Sequence, residues 1–98
     1  MSQRDEVQAT DLLRRALLKF QHAQTFYLSA HRKLKSQSPE EVEAFWDGSG
    51  QRLEAALQLS AKEVVAAFKV FTAAGLVAST NDRHLVTEAT RSLEQDTA

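Results

Sequence analysis

Residues 3–35 contain neither glycine nor proline, and this stretch constrains the fold more than any other feature of the chain. Two series of residues recur in it every seven positions, offset by three or four: Ala9, Ala16, Ala23 and Ala30, and Leu13, Phe20, Tyr27 and Leu34. This period predicts one long helix with large and small side chains alternating along one face. Such a helix is about 50 Å long at ~1.5 Å per residue, so the rest of the chain cannot easily cover it alone.

Two arrangements suit this helix. It can be the scaffold of a monomeric helical core, or it can pair across a homodimer. Leu12, Leu17 and Phe26 widen the apolar stripe beyond a strict two-helix seam. Because of the helix length, the sequence favours the homodimer, with the dimer contact formed by Leu13, Ala16, Phe20, Ala23, Tyr27, Ala30 and Leu34.

Length and composition limit the class of protein. A chain of 98 residues makes one domain with a modest core. There is no cysteine, no apolar run approaching the roughly 20 residues that span a bilayer, and no secretory signal at the N-terminus. We therefore expect a cytoplasmic protein with no membrane partner. No spacing of histidines and carboxylates suggests a metal site, a cofactor or catalysis, so an enzyme is not expected.

The net charge of −1 is distributed unevenly. Residues 1–35 carry seven bases and three acids, a net charge of +4. Residues 36–98 carry five bases and ten acids, a net charge of −5. Nucleic-acid binders usually concentrate positive charge on the surface that reads the nucleic acid.

The second half of the chain contains two helix-start signals. Ser38, followed by Pro39 and then Glu41, is typical of an N-cap with proline at the first helical position. Ser60 and Glu63 have the spacing of a capping box, which predicts a turn at Ser60 and a new helix after it. Gly75 is placed to end that helix in a left-handed conformation, with Leu76 folding back over the last turn.

The segment Leu53 to Val77, with its capping box and its Ala74-Gly75-Leu76-Val77 ending, resembles the helix-turn-helix of the winged-helix superfamily. Leu85 to Ala89 is similar to the closing segment of MarR-like bacterial regulators. The resemblance implies strands at 77–80 and 83–87, joined by a turn at Asn81-Asp82; an irregular loop is the alternative. The expected fold is mainly α with a small β-hairpin wing: a dimerising helix over 1–36, a winged-helix unit over 38–89 and a frayed tail over 95–98.

This resemblance implies a small transcriptional regulator that binds double-stranded DNA as a homodimer. Its DNA contacts would be Ser60, Lys62 and Lys69 on the reading helix and Arg83 and His84 in the wing. The outward positions of that helix offer no Arg, Asn or Gln for paired hydrogen bonds to bases. The alternative is a protein-interaction module that keeps the winged-helix shape. Val65, Ala66 and Val70, with Trp46, would then form the contact surface.

Overall fold

The computed structural model describes residues 3–96, with side chains described up to Glu94. This part of the chain is all-α and consists of α1 (Gln3–Leu34), α2 (Pro39–Asp47), α3 (Ser49–Ala73) and α4 (Thr80–Asp96). The expected β-hairpin wing is wrong, since residues 3–96 contain no strand. The frayed tail predicted for 95–98 lies largely outside the described residues. In the described part, no helix combines the length and the apolar character needed to cross a membrane.

The long first helix is observed as predicted, and it ends within one residue of the predicted position. Asp5 and Glu6 in its first turn, and His31, Arg32 and Lys33 in its last, complement the helix dipole. α2 also begins as predicted: Ser38 accepts a hydrogen bond from the backbone N–H of Glu41, and Pro39 is the first helical residue. Only Gly48 separates α2 from α3.

The helix-turn-helix is absent, because residues 49–73 form one continuous helix. Ser60 is not an N-cap. It is buried in the middle of α3, and its hydroxyl donates to the backbone carbonyl of Leu57 at 2.8 Å. A serine inside a helix can satisfy its hydroxyl in this way, so the capping-box spacing alone does not make a turn. No glycine or proline interrupts residues 51–74, and Leu57, Val64 and Phe71 continue one buried or half-buried face across the expected turn.

The segment expected to form the wing begins a fourth helix instead. Gly75 has φ +81°, and the N–H groups of Gly75 and Leu76 bond to the carbonyls of Thr72 and Phe71, which ends α3 as predicted. The chain then runs without regular structure to Ser79, whose hydroxyl accepts from the N–H of Asp82. This cap starts α4, so Arg83 and His84 lie in its first turns and not in a hairpin. The apolar run at 85–86 is too short to distinguish a strand from a helix by pattern.

The core lies where α1, α3 and α4 meet. Phe20 of α1 and Val64 of α3 are fully buried, and Ala89 of α4 is completely covered. Burial of a side chain of this size contributes about 1.5–3 kcal/mol. The lining of the surface grooves shows that α1 and α3 are antiparallel: Asp5 lies near Ala74, and Tyr27 lies near Glu54. α4 packs mainly on α3 and also reaches α1, where the Gln24 amide donates to the Glu88 carboxylate at 3.0 Å.

Candidate protein-interaction face

One side of the α1–α3 pair exposes large apolar side chains, and neither α2 nor the described part of α4 covers them. On α1, Leu12 and Phe26 lie seven residues on either side of Lys19 and therefore share one side of the helix. On α3, Leu59, Glu63, Ala66 and Val70 share one side for the same reason. We call the surface formed by Leu12, Phe26, Leu59, Ala66 and Val70 the α1/α3 face.

An ion pair joins the two helices at the middle of this face. Lys19 Nζ lies 3.6 Å from Glu63 Oε2, so the two helices are at the same height there. Towards the start of α1, Leu12 and Val70 line the same stretch of groove, with Ala66 between Val70 and the ion pair. In the other direction, Phe26 and Leu59 follow the ion pair on their own helices. The four large apolar side chains are 49% to 65% exposed, which is high for side chains arranged on one face.

The predicted dimerisation residues lie on a different side of α1. Leu13, Ala16 and Phe20 are buried in the core against the chain's own α3 and α4, and Leu34 is buried at the end of the helix. Ala23, Tyr27 and Ala30 are half-buried. Packing within one chain therefore accounts for the first half of the seven-residue repeat. A homodimer through these residues stays a prediction.

The predicted DNA-binding residues lie on two helices, α3 and α4, and one of them is buried. Ser60 is buried, so it is not available to a phosphate. Lys62 and Lys69 are exposed and seven residues apart on one side of α3. Arg83 and His84 are exposed on α4, where His84 Nε2 lies 3.1 Å from Glu88 Oε1.

An aromatic cluster joins the end of α1 to α2. The ring centroids of Tyr27 and His31 lie 4.6 Å apart, those of His31 and Trp46 4.7 Å, and those of Phe45 and Trp46 5.1 Å. Burial raises the pKa of the Tyr27 phenol, and the Glu54 carboxylate raises it further. The side chains holding α2 are half-buried, so this cluster fixes the position of α2 and leaves little apolar surface free for a ligand.

A separate groove lies between α1 and α4 and has a volume of about 430 Å³. Leu13, Leu17 and Phe71 of the core line it, and the exposed side chains of Leu18 and Val77 lie at its edge. Among the residues that the structure describes, no three His, Asp or Glu side chains are grouped closely enough to hold a metal ion.

Part of the α1/α3 face could be found from the sequence. Ala66 and Val70 belong to the outward apolar surface predicted for a protein-interaction module, but Val65 and Trp46 from the same prediction are half-buried elsewhere. Leu59, which lies within the segment that resembles a helix-turn-helix, is exposed. The seven-residue spacing of Leu12, Lys19 and Phe26 was the available signal for the α1 side.

No protein-family model, curated protein or solved structure matches this chain. Its function is therefore argued from geometry and charge alone.

Proposed function

We propose that this protein is a protein–protein interaction module, with the α1/α3 face as its contact surface. The observation that carries the proposal is the alignment of four exposed large apolar side chains on one side of a rigid helix pair, with an ion pair at their centre. Contiguous apolar patches rimmed by polar residues mark interaction sites on soluble domains. The sequence-based expectation of a cytoplasmic location is part of this proposal.

The energetics of the face indicate what its partner must supply. Covering the remaining exposed area of four such side chains yields on the order of 4–6 kcal/mol. Association itself costs an estimated ~4–15 kcal/mol of translational and rotational freedom. Apolar burial on this face matches only the lower part of that range, so the partner's own apolar surface and its charges opposite Lys19 and Glu63 must supply the rest. A charge-matched helical surface meets both requirements.

Photo-crosslinking tests the proposal in the cell that makes the protein. A photoreactive phenylalanine analogue replaces Phe26, which is 65% exposed on the face, and in a matched control it replaces Thr90, which is exposed on α4. We expect a discrete crosslinked product from position 26 and none from position 90. Equal labelling at both positions, or none at either, would overturn the proposal.

DNA-binding transcriptional regulation is a second candidate function. It is supported by the exposure of Lys62 and Lys69 on one side of α3 and by the excess of basic residues in α1. A mixed-sequence DNA duplex should then bind in a salt-sensitive manner, because each phosphate contact releases counterions. Lys62→Glu/Lys69→Glu should lose this binding, whereas Arg52→Glu/Arg91→Glu, with the same change in charge at exposed positions outside α1, should retain most of it. Equal losses in both variants would indicate a net-charge effect and count against a reading surface on α3.

A further inference from the structure

The chain is more elongated than a compact domain of its length. The radius of gyration is 16.1 Å and the extents are 56 × 23 × 20 Å. A compact domain of this length has a radius of gyration of about 13 Å. The excess arises because α1 and α3 extend far along one axis with a cross-section only about two helices thick. A second layer of similar length on the α1/α3 face would complete that cross-section.

We infer that the second layer is another copy of this chain, docked on the α1/α3 face to form an antiparallel four-helix bundle. The inference rests on the proposed function and names its partner. This dimer differs from the homodimer predicted from the sequence, because its contact is formed by Leu12, Phe26, Leu59 and Val70. The core face of α1 stays packed against α3 of the same chain.

The charges on the face are self-complementary about a two-fold axis parallel to the helices. Such an axis places α1 of each copy over α3 of the other copy. Each residue keeps its position along the direction of the helices. Because Lys19 and Glu63 lie at the same height, Lys19 then meets the partner's Glu63. The four side chains form a ring in which positive and negative charges alternate. An axis perpendicular to the helices at the same height would instead place Lys19 against the partner's Lys19, which like-charge repulsion disfavours.

The apolar residues fit the same symmetry. Leu12 lies over the partner's Val70, because these two residues share one stretch of groove within a chain. On the other side of the charged ring, Phe26 of each copy lies against the partner's Leu59. Ala66 contributes a small side chain at the centre, which lets the facing helices approach closely. In the bundle, α1 and α3 of each copy also gain an antiparallel neighbour from the other copy, which is the arrangement that helix dipoles favour.

The area of the face is of the size that a stable dimer needs. From one turn before Leu12 to one turn after Phe26 is about 32 Å of helix, and two helices side by side are about 20 Å wide. The flat footprint is therefore on the order of 600 Å² per copy, and accessible area exceeds a flat footprint. Specific protein interfaces bury roughly 800 Å² per partner.

Charge-swapped variants of the full chain test the inference in solution. Sedimentation equilibrium should give the wild type twice the 10.9 kDa mass of one chain. Lys19→Glu and Glu63→Lys each place four like charges in the ring, so each should weaken self-association about tenfold or more. In a mixture of the two variants, positions 19 and 63 of one chain face opposite charges at positions 63 and 19 of the other, so the two variants should form a heterodimer. Arg83→Glu on α4 is the matched control and should associate like the wild type.

The mixing experiment separates a contact between chains from one within a chain. Each variant lacks the internal Lys19–Glu63 pair whether or not it is mixed, so only a contact between chains at these positions predicts recovery. Circular dichroism confirms that each variant is folded before mixing. A wild-type chain that stays monomeric, or a mixture that stays monomeric, would overturn the inference. A monomeric wild type that still crosslinks to a different protein through position 26 would overturn the self-association alone and leave the proposed function standing.

Discussion

A single glycine decides how closely α2 can approach α3. A Cβ atom built on Gly50 would lie 2.9 Å from Cδ2 of Trp46 and 3.0 Å from the backbone oxygen of Phe45. Real Cβ atoms essentially never come that close to a ring. The glycine therefore lets the indole lie flat against the first turn of α3, where it completes the aromatic cluster with Tyr27 and His31.

Gly50→Ala should displace the Trp46 ring and destabilise the protein by about 1–2 kcal/mol, the lower part of the range for overpacking, because alanine regains some helix propensity. Trp46 is the only tryptophan of the chain, so its fluorescence reports the displacement directly. Gly48→Ala is the matched control, since its nearest contact would be an ordinary 3.7 Å to the carbonyl of Ala44. Unchanged Trp46 emission in Gly50→Ala would contradict the close packing of α2 on α3.

The Tyr27 phenol should make the fold sensitive to alkaline pH. Its pKa is raised by burial and by Glu54. Below about pH 10, the usual pKa of tyrosine, the phenol is protonated in both the folded and the unfolded chain, and its contribution to stability is fully present. As pH rises from there through the raised folded-state pKa, the unfolded chain loses its proton first and the free energy of unfolding falls.

The melting temperature of the wild type should therefore decline more steeply above pH 10 than that of Tyr27→Phe, which lacks the titrating group. All other titratable side chains are common to both proteins, so the difference between the two profiles isolates Tyr27. Tyr27 is the only tyrosine, so its ultraviolet absorbance follows the ionisation directly. Parallel pH profiles for the two proteins would rule out the coupling.

At the scale of the helices, the sequence predicted that helices form more reliably than it predicted where a helix continues without a break. α1 follows from its repeat, and the start of α2 and the end of α3 follow from Ser38, Pro39 and Gly75. The break at Ser60 and the wing after Val77 were wrong. Both predictions relied on a local sequence pattern, and tertiary packing overrode it. A continuous α3 buries Val64 and Phe71 on one face, and a helical α4 buries Ala89 in the core. The α1/α3 face could be predicted only in part, because it depends on how two distant helices are rotated against each other.

Serine substitutions distinguish the cap of α4 from the interior of α3. Ser79→Ala removes the side chain that accepts from the N–H of Asp82 and should cost about 1 kcal/mol. Ser60→Ala removes a hydroxyl bonded to a carbonyl inside a continuous helix, and the better helix propensity of alanine should keep its effect within about 0.5 kcal/mol. Chemical denaturation measures both. A cost at Ser60 as large as that at Ser79 would indicate a real helix start in the middle of α3.

The molecule as a whole has a well-packed centre and a long unpartnered side. Phe20 and Val64 are completely buried, while Leu59 and Phe26 remain mostly exposed along the same pair of helices. A chain of 98 residues has little stability to spare, so covering the α1/α3 face contributes to folding as well as to recognition. Folding and self-association are then linked through mass action.

This linkage makes the melting temperature depend on protein concentration. In a dimer whose chains unfold as they separate, each tenfold rise in concentration favours the folded state by about 1.4 kcal/mol per dimer. For a unit of this size that corresponds to about 2–4 °C in melting temperature. Wild-type protein should show this rise in calorimetry over a hundredfold range of concentration. Lys19→Glu should melt at a lower temperature with little dependence on concentration, and its mixture with Glu63→Lys should regain the dependence. A wild-type melting temperature independent of concentration would mean that the fold is complete in one chain, and the exposed face would then have to be stable in water without a partner.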